Sequence, residues 1–188
     1  MNGVSARSEN PNGRCCTMVA KNMTGAGLVY QGVINQPADM LNLHPGVNGE
    51  KATVRWVAPQ VGYYRLEGRF QGIDIAGTSS DVSINWNVST IWSNNINGFG
   101  STATFDLIVD VSAGTTLDFV VGYGSNNNYF NDSTGLAVNI TQITVPPPPS
   151  GVYNAVNDFI PTSNPTGVWR YGVKTSPTSL LNITTTVR

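Results

Sequence analysis

Between Lys51 and Phe70, apolar side chains recur at every second position on both sides of a turn. Ala52, Val54 and Trp56 alternate with Lys51, Thr53 and Arg55. After Pro59 to Gly62 the pattern resumes, with Tyr64, Leu66 and Phe70 set against Arg65, Glu67 and Arg69. A period of two places the apolar set on one face of an extended chain, so this stretch predicts two half-buried antiparallel strands.

The same period returns further on. Val82, Ile84, Trp86 and Val88 share a face in Asp81 to Val88. Ala103, Phe105, Leu107, Val109 and Val111 share one before the turn at Ala113-Gly114, and Leu117, Phe119 and Val121 share one after it. Leu136, Val138 and Ile140 form a last strand. There the apolar set slips by one at Ile143, which predicts a bulge near Thr141 or the strand's exit from the core. Leu28 to Ile34 reads as a short strand, residues 1 to 27 as irregular with a turn at Asn10 to Gly13, and Asn42 to Gly49, Gln71 to Ser80 and Asn94 to Ser101 as loops. No stretch of useful length has helical periodicity. Six or seven strands joined by turns predict an all-β antiparallel sandwich, jelly-roll-like, with a short C-terminal extension.

Pro146 to Pro149 cannot pair inside a sheet and favour extended polyproline geometry, which marks residues 146–150 as a spacer. The organisation expected is a sandwich module over residues 1–145 and a truncated start of a second repeat over 151–188. Asn10-Pro11-Asn12-Gly13 is echoed by Asn164-Pro165-Thr166-Gly167, 154 positions later (164 minus 10), as two copies of a long repeat would give. The alternative is that the tail folds back and donates strands to the same sandwich.

Charged residues make up 11% of the 188 residues and the net charge is −1, against roughly 25% charged in an average soluble domain. Such a balance offers nucleic acid or an anionic membrane no electrostatic footing. No apolar run approaches the roughly 18 residues of a membrane span, and no signal peptide is visible. Adjacent Cys15 and Cys16 match no metal spacing and are read as free thiols.

Several runs together resemble a jelly-roll module of exported bacterial proteins of the PEP-CTERM type: Leu43 to Gly46 (LHPG), Gly49 to Tyr64 (GEKATVRWVAPQVGYY), Ile96 to Phe105 (INGFGSTATF), Ala113 to Gly124 (AGTTLDFVVGYG), Phe130 to Val138 (FNDSTGLAV) and Tyr153 to Gly172 (YNAVNDFIPTSNPTGVWRYG). The module is itself similar to carbohydrate-binding, galactose-binding-like sandwiches. The resemblance implies an extracellular or cell-surface location, contact with a glycan or polysaccharide, and in several such families a structural calcium ion. The PEP-CTERM sorting signal does not follow, and the first copy has Arg14-Cys15-Cys16 where the tail has Val168-Trp169-Arg170-Tyr171.

For chemistry, the chain has one histidine, His44, and no G-x-S-x-G run, which leaves nucleophilic catalysis without its parts. Nor does a glycine-rich phosphate loop open a helix. Asp106, Asp110 and Asp118 fall on outward strand positions, where solvated surface is the ordinary explanation, so no facing pair of glycosidase carboxylates is predicted. The reading is non-catalytic.

Glu50 and Asp132 each lie where a loop meets a strand, and oxygen-rich loops suit calcium, which makes them the candidate metal ligands. Sugar binding calls for aromatic faces beside planar hydrogen-bonding groups. Two stretches offer them: Trp92 with Asn94 and Asn95, and Tyr123 with Asn126, Asn127, Asn128 and Tyr129. The competing reading gives these asparagines to turns and Trp92 to the sandwich interior. A structural repeat or spacer with no small ligand is the alternative function. The triplets at Asn87, Asn131 and Asn139 are formal glycosylation acceptors that chance supplies in so Asn- and Thr-rich a chain.

Overall fold

A computed structural model describes residues 3–7 and 17–144, with residues 155–156, 159, 169, 172–173 and 182–183. The turn at Asn10 to Gly13, the Cys15-Cys16 pair, the proline spacer and most of the tail lie outside the described residues. The chain divides into two compact units, Met1–Val145 and Pro146–Arg188.

The first unit is an open antiparallel sandwich, with no helix among the described residues. In chain order its strands are β1 (Val4–Arg7), β2 (Met18–Asn22), β3 (Leu28–Tyr30), β4 (Ile34–Gln36), β5 (Leu41–His44), β6 (Ala52–Val57), β7 (Gly62–Gly72), β8 (Asp81–Trp86), β9 (Ser89–Asn95), β10 (Thr102–Val111), β11 (Thr116–Gly122) and β12 (Thr134–Ile143). One sheet runs β1-β2-β5-β12-β7-β10 and the other β6-β11-β8-β9. In the second unit β13 (Gly172–Val173) pairs antiparallel with β14 (Asn182–Ile183).

The alternation decides which faces meet. Tyr64, Leu66 and Phe70 of β7, Phe105 and Val109 of β10 and Leu136 of β12 face Ala52, Val82, Ile84, Leu117, Phe119 and Val121 of the second sheet in one buried cluster. Aromatic rings bridge the layers. Trp56 meets Tyr64 edge-on at 4.9 Å and Phe105 meets Phe119 at 5.9 Å. Gly68, also inward, leaves room for the Phe105 ring opposite it in the ladder.

Several boundaries differ from expectation, always because pairing recruits residues that lack an obvious pattern. Residues 1 to 27 are not irregular throughout: β1 and β2 join the large sheet through β5, itself inside the expected loop 42–49. β7 and β9 extend into the expected loops to Gly72 and Asn95. Leu28 to Ile34 is the start of a hairpin, β3–β4, turned at Gln31 and Gly32, whose φ values of 52° and 74° are those of a primed turn.

No bulge interrupts β12, which pairs evenly with β7 to Ile143. Ile143 lies opposite Tyr63, on the face away from the core. The irregular register lies instead between β8 and β9, at Ile84/Asn85.

A second cluster (Tyr30, Ile34, Met40 and Ile73) covers part of the large sheet's outer face. Beneath it Asn42 Nδ2 donates to Tyr30 Oη at 2.6 Å, and Gln36 Nε2 donates to the carbonyls of Ala20 and Met40. These bonds satisfy the amide nitrogens, while Gln36 Oε1 and Asn42 Oδ1 are buried without a partner among the described residues.

Candidate functional site

The register fixes where the loops gather. Ala52, Val121, Val82 and Asn94 lie side by side across the small sheet, and Thr134 lies beside both Leu43 and Gly72 in the large one. The connections of residues 45–51, 73–80, 96–101 and 123–133 therefore leave the same end of the sandwich. Among the described residues the turns 58–61, 87–88 and 112–115, all shorter, lie at the opposite end. Both sequence-predicted stretches reach the loop-bearing end.

The 123–133 connection is tied down by its own asparagines. Asn126 Oδ1 accepts from Asn128 N at 3.0 Å, and Asn128 Oδ1 accepts from Phe130 N at 2.9 Å. Two successive Asx turns thus carry the chain to its aromatic tip. Asn127 and Asn131 take left-handed φ values of 53° and 65°. Asn126 Nδ2 donates to Ser79 Oγ at 2.7 Å, and Ser79 N and Oγ both donate to Asp132 Oδ1 at 2.9 and 3.0 Å. The loop is a built structure anchored on the 73–80 connection. Asn127 and the Asn128 Nδ2 group have no bonding partner among the described residues.

At the tip, Tyr129 and Phe130 stack with centroids 4.4 Å apart and planes 30° apart. Phe130 is 60% exposed. Behind them the His44 ring meets Tyr129 edge-on at 6.3 Å. His44 Nδ1 lies 2.8 Å from the Pro45 carbonyl, which can only accept, so Nδ1 carries the proton. Tyr123 packs against Gly49, where a Cβ would come 2.9 Å from the phenol oxygen; with φ at +87°, that position also suits only glycine. This contact ties the 45–51 connection to the 123–133 connection.

Trp92 is placed differently from Tyr129. Its indole points between the sheets and stacks on Phe70, with Phe105 edge-on at 5.4 Å. Phe70 covers one face of the ring, which is half-buried, so packing against the core engages part of the indole. Asn94 and Asn95 stand exposed at the end of β9, beside Lys51 and Asp81 in a separate open cleft.

Phe130 is the aromatic that sequence reasoning missed. Its signal was an apolar ring inside an otherwise polar run, NNNYFND. Phe99 is a similar case, 47% exposed in the glycine-flanked connection 96–101.

Of the acids, Asp118 is not a solvated surface group. It is nearly buried and takes a bidentate contact from Arg55, Nε to Oδ1 at 2.6 Å and Nη2 to Oδ2 at 2.7 Å. Asp106 does lie exposed, paired with Arg65.

Asp132 is fully buried, and its Oδ2 has no partner. Burial raises its carboxyl above the ordinary value; Asp74 adds to the rise, while the Ser79 donors and the charge of His44 oppose it. Glu50 accepts from Asn48 N and Nδ2, both at 2.9 Å. Among the described residues no three His, Cys, Asp or Glu side chains gather as a metal centre. Calcium takes six to eight oxygens; Glu50 and Asp132 are a thin donor set for it.

No helix among the described residues is long and apolar enough to cross a membrane. No family model and no curated protein matches the chain in sequence. Among solved structures, the M60 catalytic domain with two CBM51 domains of Clostridium perfringens ZmpB is 13% identical at a TM-score of 0.42, over 65% of this chain and 13% of that one. A CBM51 of Clostridium perfringens GH95, in complex with methyl-galactose, is 14% identical at 0.41, over 71% of this chain and 89% of that one. Pika GITRL is 15% identical at 0.32, over 60% of this chain and 89% of that one.

Proposed function

We propose that the first unit is a non-catalytic carbohydrate-binding module of an exported bacterial surface protein, and that it meets its glycan at the loop-bearing end. The observation that carries this reading is the stacked Tyr129–Phe130 pair, its outer ring exposed on a loop whose backbone is already locked. A sugar presents one face of C–H groups and a rim of hydroxyls. An exposed phenyl ring covers the first, and the Asn127 amide and the Asn128 Nδ2 group bond the second. Because the Asx turns and the Asn126–Ser79–Asp132 chain pre-order the loop, little entropy is lost when a ligand lands.

The exported and bacterial parts of the reading rest on the amide-rich, weakly charged composition and on the resemblance to PEP-CTERM-type modules. Residues 151–188 are read in the same way, as the opening of a further copy.

The test is a glycan array probed with the wild-type chain and with Phe130→Ala and Tyr129→Ala. Binding by the wild type that both substitutions abolish, with melting temperatures within a few degrees of the wild type, is the expected result. Binding that survives both removes the proposal. An array without hits for the wild type selects the structural-spacer role.

A further inference from the structure

A second polar site lies on the outer face of the four-stranded sheet, just below the loop-bearing end. Asp81 and Asn95 pair there across β8 and β9, as do Ser83 and Ser93. With Lys51 and Asn94 they line an open cleft of about 530 Å³. Its lining is mostly polar, unlike the aromatic tip.

The cleft is organised around the Asp81 carboxylate. Oδ1 accepts from Gly124 N at 2.8 Å, and Oδ2 accepts from Lys51 Nζ at 3.3 Å. The carboxylate lies over Gly122 of the neighbouring strand, where a Cβ would come 2.9 Å from its Cγ. Only glycine at that position leaves the acid its place. The hydroxyls of Ser83 and Ser93 and the amide of Asn95 have no partner among the described residues.

A held carboxylate, an ammonium group, the free Asn95 amide, the Asn94 Nδ2 group and free hydroxyls together match vicinal hydroxyl pairs, which both donate and accept. The Lys51 charge is already balanced by Asp81, which disfavours an anionic ligand. The two sites are also linked: Gly124 opens the aromatic connection and bonds Asp81, while Ser79, two residues before Asp81, anchors Asn126.

We infer that this cleft is a second sugar subsite, and that the module takes a neutral polysaccharide along its chain rather than a single terminal sugar. The inference rests on the loop-end reading above, since the aromatic tip supplies the first subsite.

The experiment is affinity electrophoresis of the full chain in gels cast with xylan, galactomannan, laminarin, arabinogalactan or polygalacturonate, with Ser93→Ala/Asn95→Ala, Gly122→Ala and Phe130→Ala as variants. At least one neutral polymer is expected to retard the wild type. The double variant, whose changes are exposed and leave the core intact, is expected to lose about tenfold in affinity for that polymer. By calorimetry it should keep wild-type affinity for the polymer's disaccharide. Gly122→Ala should repeat the loss wherever its circular dichroism spectrum is unchanged.

A double variant retarded like the wild type, beside a Phe130→Ala that is not retarded, overturns the cleft and leaves the loop-end reading standing. Retardation by polygalacturonate alone overturns the neutral-ligand assignment. A wild type retarded by none of the five overturns the extended-polysaccharide inference, and the glycan array then decides the loop-end reading separately.

Discussion

The indole of Trp92 stacks on the ring of Phe70 across the interior of the sandwich, centroids 5.9 Å apart and planes within 12°. The two residues belong to different sheets, so the contact is part of what holds the layers together. Trp92→Ala is accordingly expected to cost about 3–5 kcal/mol, as large-to-small core changes do. Urea denaturation measures it. A variant that keeps wild-type stability and loses only sugar binding would contradict this placement.

Asp132 predicts a pH dependence with a definite sign. Its folded-state pKa lies above the unfolded one because the carboxylate is buried. The fold therefore favours the protonated form. The contribution to stability is greatest below the ordinary carboxylate value and is lost as pH rises through the folded value. Asp132→Asn keeps Oδ1 as acceptor for Ser79 and removes the buried charge. Melting temperatures from about pH 4 to about pH 7 should show the variant gaining on the wild type as pH rises. Parallel curves would show that Asp132 does not titrate in that range.

Gly68→Ala tests the packing of the central strand. A Cβ there would press on the Ala137 carbonyl oxygen and come 2.6 Å from the Phe105 ring. Neither backbone nor core ring can yield cheaply, so a loss of about 1–3 kcal/mol is expected from overpacking. Thermal unfolding reads it. An unchanged midpoint would mean that the two sheets shift to accept the methyl group.

Calcium is checked by melting in chelator and in added calcium. A structural ion held with Glu50 and Asp132 would lower the melting temperature in chelator, and coincident curves would argue against it. A rise in melting temperature with calcium would point to an ion held largely by backbone carbonyls.

The part of this structure that could be read in advance is the part governed by local geometry. Period two in Ala52 to Trp56, Tyr64 to Phe70 and Ala103 to Val111 separates the buried face from the exposed one, since successive side chains on a strand point to opposite sides. The positions of the turns follow from their glycines and prolines. Partner choice does not follow, because it joins residues far apart in the chain. Asp118 looks solvated until Arg55, 63 positions away, closes over it from the next strand. β1, β2 and β5 have little pattern of their own and become strands only because a neighbour offers its free hydrogen bonds.

The candidate site divides along the same line. The residue types at the aromatic loop, an Asn-rich run ending in Tyr129 and Phe130, are plain in the primary sequence. Which ring faces outward is a matter of tertiary structure. Trp92 sits at a strand position that the large sheet partly covers, and Phe130 on a loop where Tyr129 stacks on it and more than half of it stays exposed. Alternation is enforced within each strand by the backbone alone. Coverage depends on how two separately formed layers stack, and no short stretch of sequence contains that information.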